Sequence, residues 1–222
     1  MLKEIIKKIV TGYKYNNDTF ISYLKARGLT IGKDSIFYDP IHTNIDMTSL
    51  DFISIGNNVQ ITSGCTILGH DYSHSVLCNA FNDMPRSQKK TIIGDNVFIG
   101  MNTTILMGTK IGDNVIIGAG SVVRGVVESD SVYLGNPAQK VCTLQEYYDK
   151  LKDKFNESAK TYFSVRGNDK KTIYSALFED EKWIKDFVTK NSFKAISHID
   201  TQSLSKNINK TNISYEEFLN KE

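Results

Sequence analysis

Two of the four histidines in this 222-residue chain stand four residues apart in the run Gly69-His70-Asp71-Tyr72-Ser73-His74. A neutral imidazole can take a proton from a hydroxyl near neutral pH, so His70 and His74 both have the capacity of a general base. Asp71 could orient either ring, but its adjacency to His70 turns its side chain elsewhere. A zinc centre would need three neutral imidazoles converging on one point. His70 and His74 can share a metal, yet no third histidine follows in the next hundred residues. His42 lies well upstream. Cys65, Cys78 and Cys142 show no Cys-x-x-Cys spacing, which argues against a disulfide framework or a thiolate zinc site and fits a reducing cytoplasm.

A six-residue period positions these groups. From Ile93 an aliphatic returns at Ile99, Ile105, Ile111, Ile117 and Val123 without a slip in register. Glycine follows it at Gly94, Gly100, Gly112 and Gly118, and small or β-branched residues stand four places on at Val97, Thr103, Thr109, Val115 and Ser121. Ile55, Ile61 and Ile67 carry an earlier block, and a weaker one begins at Ile31-Gly32. An amphipathic helix has period 3.6 and a hairpin sheet alternates, so neither fits. A parallel β-helix does. One aliphatic per flat face points into a central stack, and Gly or Asn at the corners supplies the backbone angles of a sharp turn. Cys65, at the small position after Ile61, then reads as packing and not as a nucleophile.

The repeat is interrupted between Ile67 and Ile93 by a spacing that is no multiple of six, so residues 69–90 leave the coil as an extruded loop, and this loop opens on His70. A second break follows Val123, where GVVESDSVYLGNPAQKV leads out of the coil. Thr143 and Glu146 form a capping box ahead of a helix, and further helices are expected around 173–178, 183–188 and 214–219. At the other end Leu2, Ile5, Ile6, Ile9 and Val10 recur at helical spacing, with Lys3, Glu4, Lys7 and Lys8 among them. The expected organisation is a helical segment over 1–30, a coil over 31–142 with its loop at 69–90, and a helical extension over 143–222.

The 27 Lys and Arg against 25 Asp and Glu leave a charge of +2, which gives no reason to expect a nucleic-acid partner. No stretch is long and apolar enough for a transmembrane span or a signal-peptide core.

The hexapeptide repeats, the loop after Ile67 and the exit run GNPAQKV together resemble the hexapeptide-repeat acyltransferases, among them maltose, galactoside, capsular and lipopolysaccharide O-acetyltransferases. The resemblance covers residues 31–148 and implies a left-handed coil, a homotrimer and acetyl-CoA as donor, with a sugar or surface polysaccharide as acceptor. By position it makes His70 the catalytic base. Asp71, His74 and His42 are the remaining candidate substrate contacts, read from their places in the chain and not from the resemblance, with a solvated loop residue as the alternative for His74 and a plain coil-edge residue for His42. The resemblance places the donor's pantetheine arm at the corners Gly100, Met101, Gly118 and Ala119. Lys140 matches the basic residue near the nucleotide phosphates, and Arg124 stands where the family often has Thr-Lys, able to supply that charge. No metal is expected. Two alternatives use the same coil: a non-catalytic interaction scaffold, and a zinc-dependent enzyme like the γ-type carbonic anhydrases.

Overall fold

The structure, a computed structural model, describes residues 9–71, 73–84 and 88–151. The chain divides into two compact units, Met1–Lys150 and Leu151–Glu222, and the account below concerns the first. The helices expected at 173–178, 183–188 and 214–219 lie outside the described residues, as do residues 1–8.

Three sheets run side by side up a prism. Sheet A stacks β1 (Thr30–Ile31), β4 (Ile53–Ile55), β7 (Thr91–Ile93), β10 (Lys110–Ile111) and β13 (Val126–Val127). Sheet B stacks β2 (Ile36–Phe37), β5 (Gln60–Ile61), β8 (Val97–Ile99), β11 (Val115–Ile117) and β14 (Ser131–Gly135), and sheet C stacks β3 (Asn44–Ile45), β6 (Thr66–Ile67), β9 (Thr104–Ile105) and β12 (Val122–Val123). Every one of these neighbours pairs parallel, so each of the first four coils contributes one short strand to each face, and the last contributes to sheets A and B only.

The six-residue period is the registry of this stack. Ile31, Ile55, Ile93, Ile111 and Val127 oppose one another in turn on sheet A, and Ile45, Ile67, Ile105 and Val123 do so on sheet C. Phe37, Ile61, Ile99 and Ile117 form the third column, and all four are buried. Full burial of each such side chain contributes about 1.5–3 kcal/mol before the entropy of ordering is counted.

Gly and Asn both supply the corner angles, as the sequence led one to expect: φ is positive at Asn58, Asn96, Asn102 and Asn114, at Asp34 and Asp130, and at Gly64, Gly108, Gly120 and Gly125, whereas the glycine that directly follows the stacked aliphatic has an ordinary φ. That glycine is there for room: a Cβ on Gly94 would stand 2.7 Å from the carbonyl oxygen of Gly112 one coil away. The asparagines also form a ladder, with Asn58 Nδ2 donating to Asn96 (3.0 Å), Asn96 Nδ2 to Asn114 (2.8 Å) and Asn114 Nδ2 to Asp130 (2.9 Å).

The first coil is covered and one edge of the last coil is paired. A helix Asn17–Ala26 packs Phe20 and Leu24 onto the first coil, Phe20 meeting Phe37 edge to face at 5.0 Å. Asn16 caps it, accepting from the Thr19 N–H at 2.9 Å. At the far end β15 (Ala138–Thr143) folds back antiparallel on β14 and pairs the last edge of sheet B. The Thr143–Glu146 capping box forms, Thr143 N–H donating to Glu146 at 2.7 Å and Glu146 N–H to Thr143 Oγ1 at 3.1 Å.

Residues 68–90 leave the prism between β6 and β7. A bridge between His70 and Gln88 closes the neck of this loop, and the Thr91 hydroxyl donates to the Leu68 carbonyl at 2.7 Å beneath it. Inside the loop runs a helix, His74–Phe81, that buries none of its side chains. The sequence reading placed no helix there.

Candidate functional site

The neck of the loop holds the most developed polar cluster. Asp46 follows Ile45 of β3, and its N–H donates to the Ile67 carbonyl at 2.9 Å, which sets it on the coil adjoining Leu68 and Gly69. Its carboxylate is fully committed. Oδ1 accepts from the Thr48 N–H (3.1 Å) and hydroxyl (2.8 Å), and Oδ2 accepts from the Gly69 N–H (3.1 Å) and faces His70 Nδ1 in a short hydrogen bond. The hydroxyls of Ser49 and Thr48 stand 3.2 and 3.3 Å from the same nitrogen. Residue 69 must be glycine for this approach, because a Cβ there would meet the Ser49 carbonyl at 2.8 Å.

Asp46 and His70 are both buried, and the side chain of Asp46 has no exposed surface. Burial by itself would push the Asp46 carboxyl up. The hydrogen bonds from the Thr48 side chain, from His70 and from the N–H groups of Gly69 and Thr48 outweigh it, and the carboxyl sits below its ordinary value. An ionised carboxylate only accepts, so Nδ1–H donates to it and the neutral ring is held in the tautomer with the lone pair on Nε2. The result is an oriented imidazole beside a fixed negative charge, which stabilises the imidazolium formed when Nε2 takes a proton.

The sequence reading had named Asp71 as a possible orienting group and had missed Asp46. Asp71 is exposed and accepts from the Ser73 N–H at 2.8 Å, just ahead of the loop helix. His74 is the first residue of that helix. His42 lies at a different corner, exposed, with its Nδ1 2.6 Å from Asp39 Oδ2. Gly100 and Met101 form the corner between β8 and β9, and Gly118 and Ala119 the corner between β11 and β12; the two corners stack, Gly120 N–H donating to the Met101 carbonyl at 2.7 Å. These four residues, expected at the donor site, lie at the edge between sheets B and C, whereas His70 follows a strand of sheet C and lies at the edge between C and A. Within one chain the structure does not bring them together. Arg124 follows β12 and is exposed, and Lys140 on β15 pairs with Glu128 at 2.6 Å, which raises the lysine's pKa. Among the described residues no group of three His, Cys, Asp or Glu side chains is placed to hold a metal ion.

Comparison with known proteins bears on this arrangement. Residues 90–125 match the model of the bacterial transferase hexapeptide (six repeats). The chain is 31% identical to Protein CapG of Staphylococcus aureus over 160 residues, covering 72% of this chain and 90% of that one. The chain belongs to the hexapeptide-repeat acetyltransferase family. Another relative is the putative lipopolysaccharide biosynthesis O-acetyl transferase WbbJ of Escherichia coli K12, 31% identical over 147 residues and covering 62% of this chain and 74% of that one. A third is the putative acetyltransferase YvoF of Bacillus subtilis, 35% identical over 124 residues; there the match spans 56% of this chain and 66% of the relative. In this hexapeptide-repeat protein the matched stretch begins beside the loop's exit at Lys90 and includes the corners at Gly100, Met101, Gly118 and Ala119.

Proposed function

We propose that the chain transfers an acetyl group from acetyl-CoA to a hydroxyl of a sugar or surface polysaccharide, with His70 as general base. The observation that carries this reading is the buried Asp46–His70 pair at the mouth of the extruded loop. Nε2 of His70 removes the acceptor's hydroxyl proton as that oxygen forms its bond to the thioester carbon. The C–S bond then breaks, and the thiolate of CoA takes the proton back from the imidazolium. Asp46 stays ionised throughout and offsets the charge on the ring. Transfer is direct, in a ternary complex: Cys65 is buried with its Sγ donating to the Gly100 carbonyl at 3.3 Å, a packing role.

The separation of the donor corners from His70 within one chain supports an oligomer in which one copy's B–C edge faces another's C–A edge. A homotrimer is the expected assembly. Free thiols at Cys65, Cys78 and Cys142 support a reducing compartment, the cytoplasm. No helix among the described residues is long and apolar enough to cross a membrane.

The test is thioester cleavage with acetyl-CoA and a panel of sugars. Wild type should release CoA only with an acceptor present, and His70→Ala should lower kcat by about 10²–10⁴-fold with donor affinity nearly unchanged. Normal turnover in that variant would remove the general-base reading.

A further inference from the structure

A second oriented histidine stands at another edge of the prism. The corner between β2 and β3 is a tight turn held by its backbone: Thr43 donates its N–H and hydroxyl to the Asp39 carbonyl at 3.1 and 2.7 Å, and Lys14 Nζ donates to the carbonyls of Ile41 and Thr43 at 3.1 and 2.9 Å. None of these bonds needs a side chain at position 42. Yet the His42 ring is anchored, its Nδ1 2.6 Å from Asp39 Oδ2. That same oxygen accepts the Ser63 hydroxyl from the next coil at 2.7 Å, which keeps the carboxylate from swinging away. The His42 N–H donates to the other carboxylate oxygen at 3.3 Å.

The arrangement is not a nucleophilic triad, because Ser63 is bonded to the carboxylate and not to the ring. It fixes a tautomer: Nδ1–H donates to Asp39, so Nε2 carries the lone pair. The His42 side chain is 69% exposed, and a solvated surface histidine gains nothing from losing its rotamer freedom to such a bond. In the same turn, one residue before Asp39, the Tyr38 ring is 54% exposed and its hydroxyl donates to Gln60 at 3.1 Å. An exposed aromatic face in the same turn as an oriented acceptor suits a pyranose, whose C–H face would lie on the ring while a hydroxyl donates to the imidazole.

The geometry points to Asp39, His42, Ser63 and Tyr38 as a saccharide-recognition subsite, with His42 Nε2 accepting from a hydroxyl of the sugar that is acetylated. This rests on the functional reading above. His42 here sets affinity and performs no proton transfer.

The experiment uses the full chain and a panel of methyl glycosides of common hexoses and N-acetylhexosamines, the probe being whichever glycoside the wild type acetylates. His42→Gln should raise the KM for that glycoside about three- to tenfold, the worth of one hydrogen bond, with kcat and the acetyl-CoA KM changed by less than about twofold. In ¹⁵N-histidine-labelled protein without acetyl-CoA, the same glycoside should shift the imidazole signals that disappear in His42→Gln. An unchanged KM, or no shift at His42 at saturating glycoside, overturns the inference even when His70→Ala is inactive. Turnover surviving in His70→Ala alongside a shift at His42 would instead remove the base and leave this subsite standing. A panel with no acetylated glycoside would remove both.

Discussion

Asp46 and His70 are twenty-four residues apart in the chain and neighbours in space, because Asp46 N–H pairs with the carbonyl of Ile67 and the strand ends of β3 and β6 run in register. The sheet ladder, and not the loop, therefore aims the carboxylate at the imidazole.

Replacing Asp46 with Asn should leave the fold intact while removing the charge that favours the imidazolium. The expected result is a kcat lower by at least about tenfold. Unchanged turnover in Asp46→Asn would show that Asp46 does not act on the base.

Asp46 also links stability to pH. Its carboxyl lies below the ordinary value in the folded chain, so the unfolded chain binds the proton first as pH falls. The stabilisation is complete well above the unfolded pKa of about 3.9 and is lost as pH drops through the folded value. Urea titrations between about pH 6 and 3 should show stability falling, with a shallower fall in Asp46→Asn.

Ile99 is fully buried in the sheet B column while its neighbour Phe98 projects outward, 38% exposed. Ile99→Ala should destabilise the domain by about 2–5 kcal/mol, and Phe98→Ala by much less. Equal losses in denaturant titrations would contradict the inward stacking.

At a permissive site Gly→Ala stabilises by about 0.4–1 kcal/mol. Gly94→Ala should do the opposite despite its ordinary φ, because the new methyl meets the Gly112 carbonyl of the next coil. A raised Tm in that variant would refute the close-approach explanation.

If the site is completed between copies, two inactive variants should rescue each other. Co-expressed His70→Ala and Ala119→Trp chains should regain a measurable fraction of wild-type turnover in mixed oligomers, although each alone is inactive. Mixed particles that remain inactive would place the whole site in one chain.

The coil was legible because its signal is local and repeated: Ile93 to Val123 keep one period, and that period is the registry of the sheets. Asp46 was not, because the first coil breaks the period. Neither Phe37 to Ile45 nor Ile45 to Ile55 is a six-residue step, so counting along the chain could not place Asp46 beside Gly69. One signal was available, a carboxylate directly after an inward aliphatic at the end of a strand. The loop helix His74–Phe81 escaped for another reason: Val76, Leu77, Ala80 and Phe81 do fall at helical spacing, but over eight residues the stripe spans barely two turns and sits inside a break in the six-residue repeat.

The neck beneath that loop has an architectural consequence. Ile55 opposes Ile93 and Ile67 opposes Ile105 directly, as though residues 68–90 were absent, so the stack on either side is indifferent to what the excursion contains. Chimeras that exchange residues 74–84 between relatives, leaving His70, Gln88 and Thr91 in place, should therefore keep their thermal stability while acquiring a new preference among acceptors. A scaffold that separates load from selectivity in this way lets new specificities arise by grafting, without a new fold.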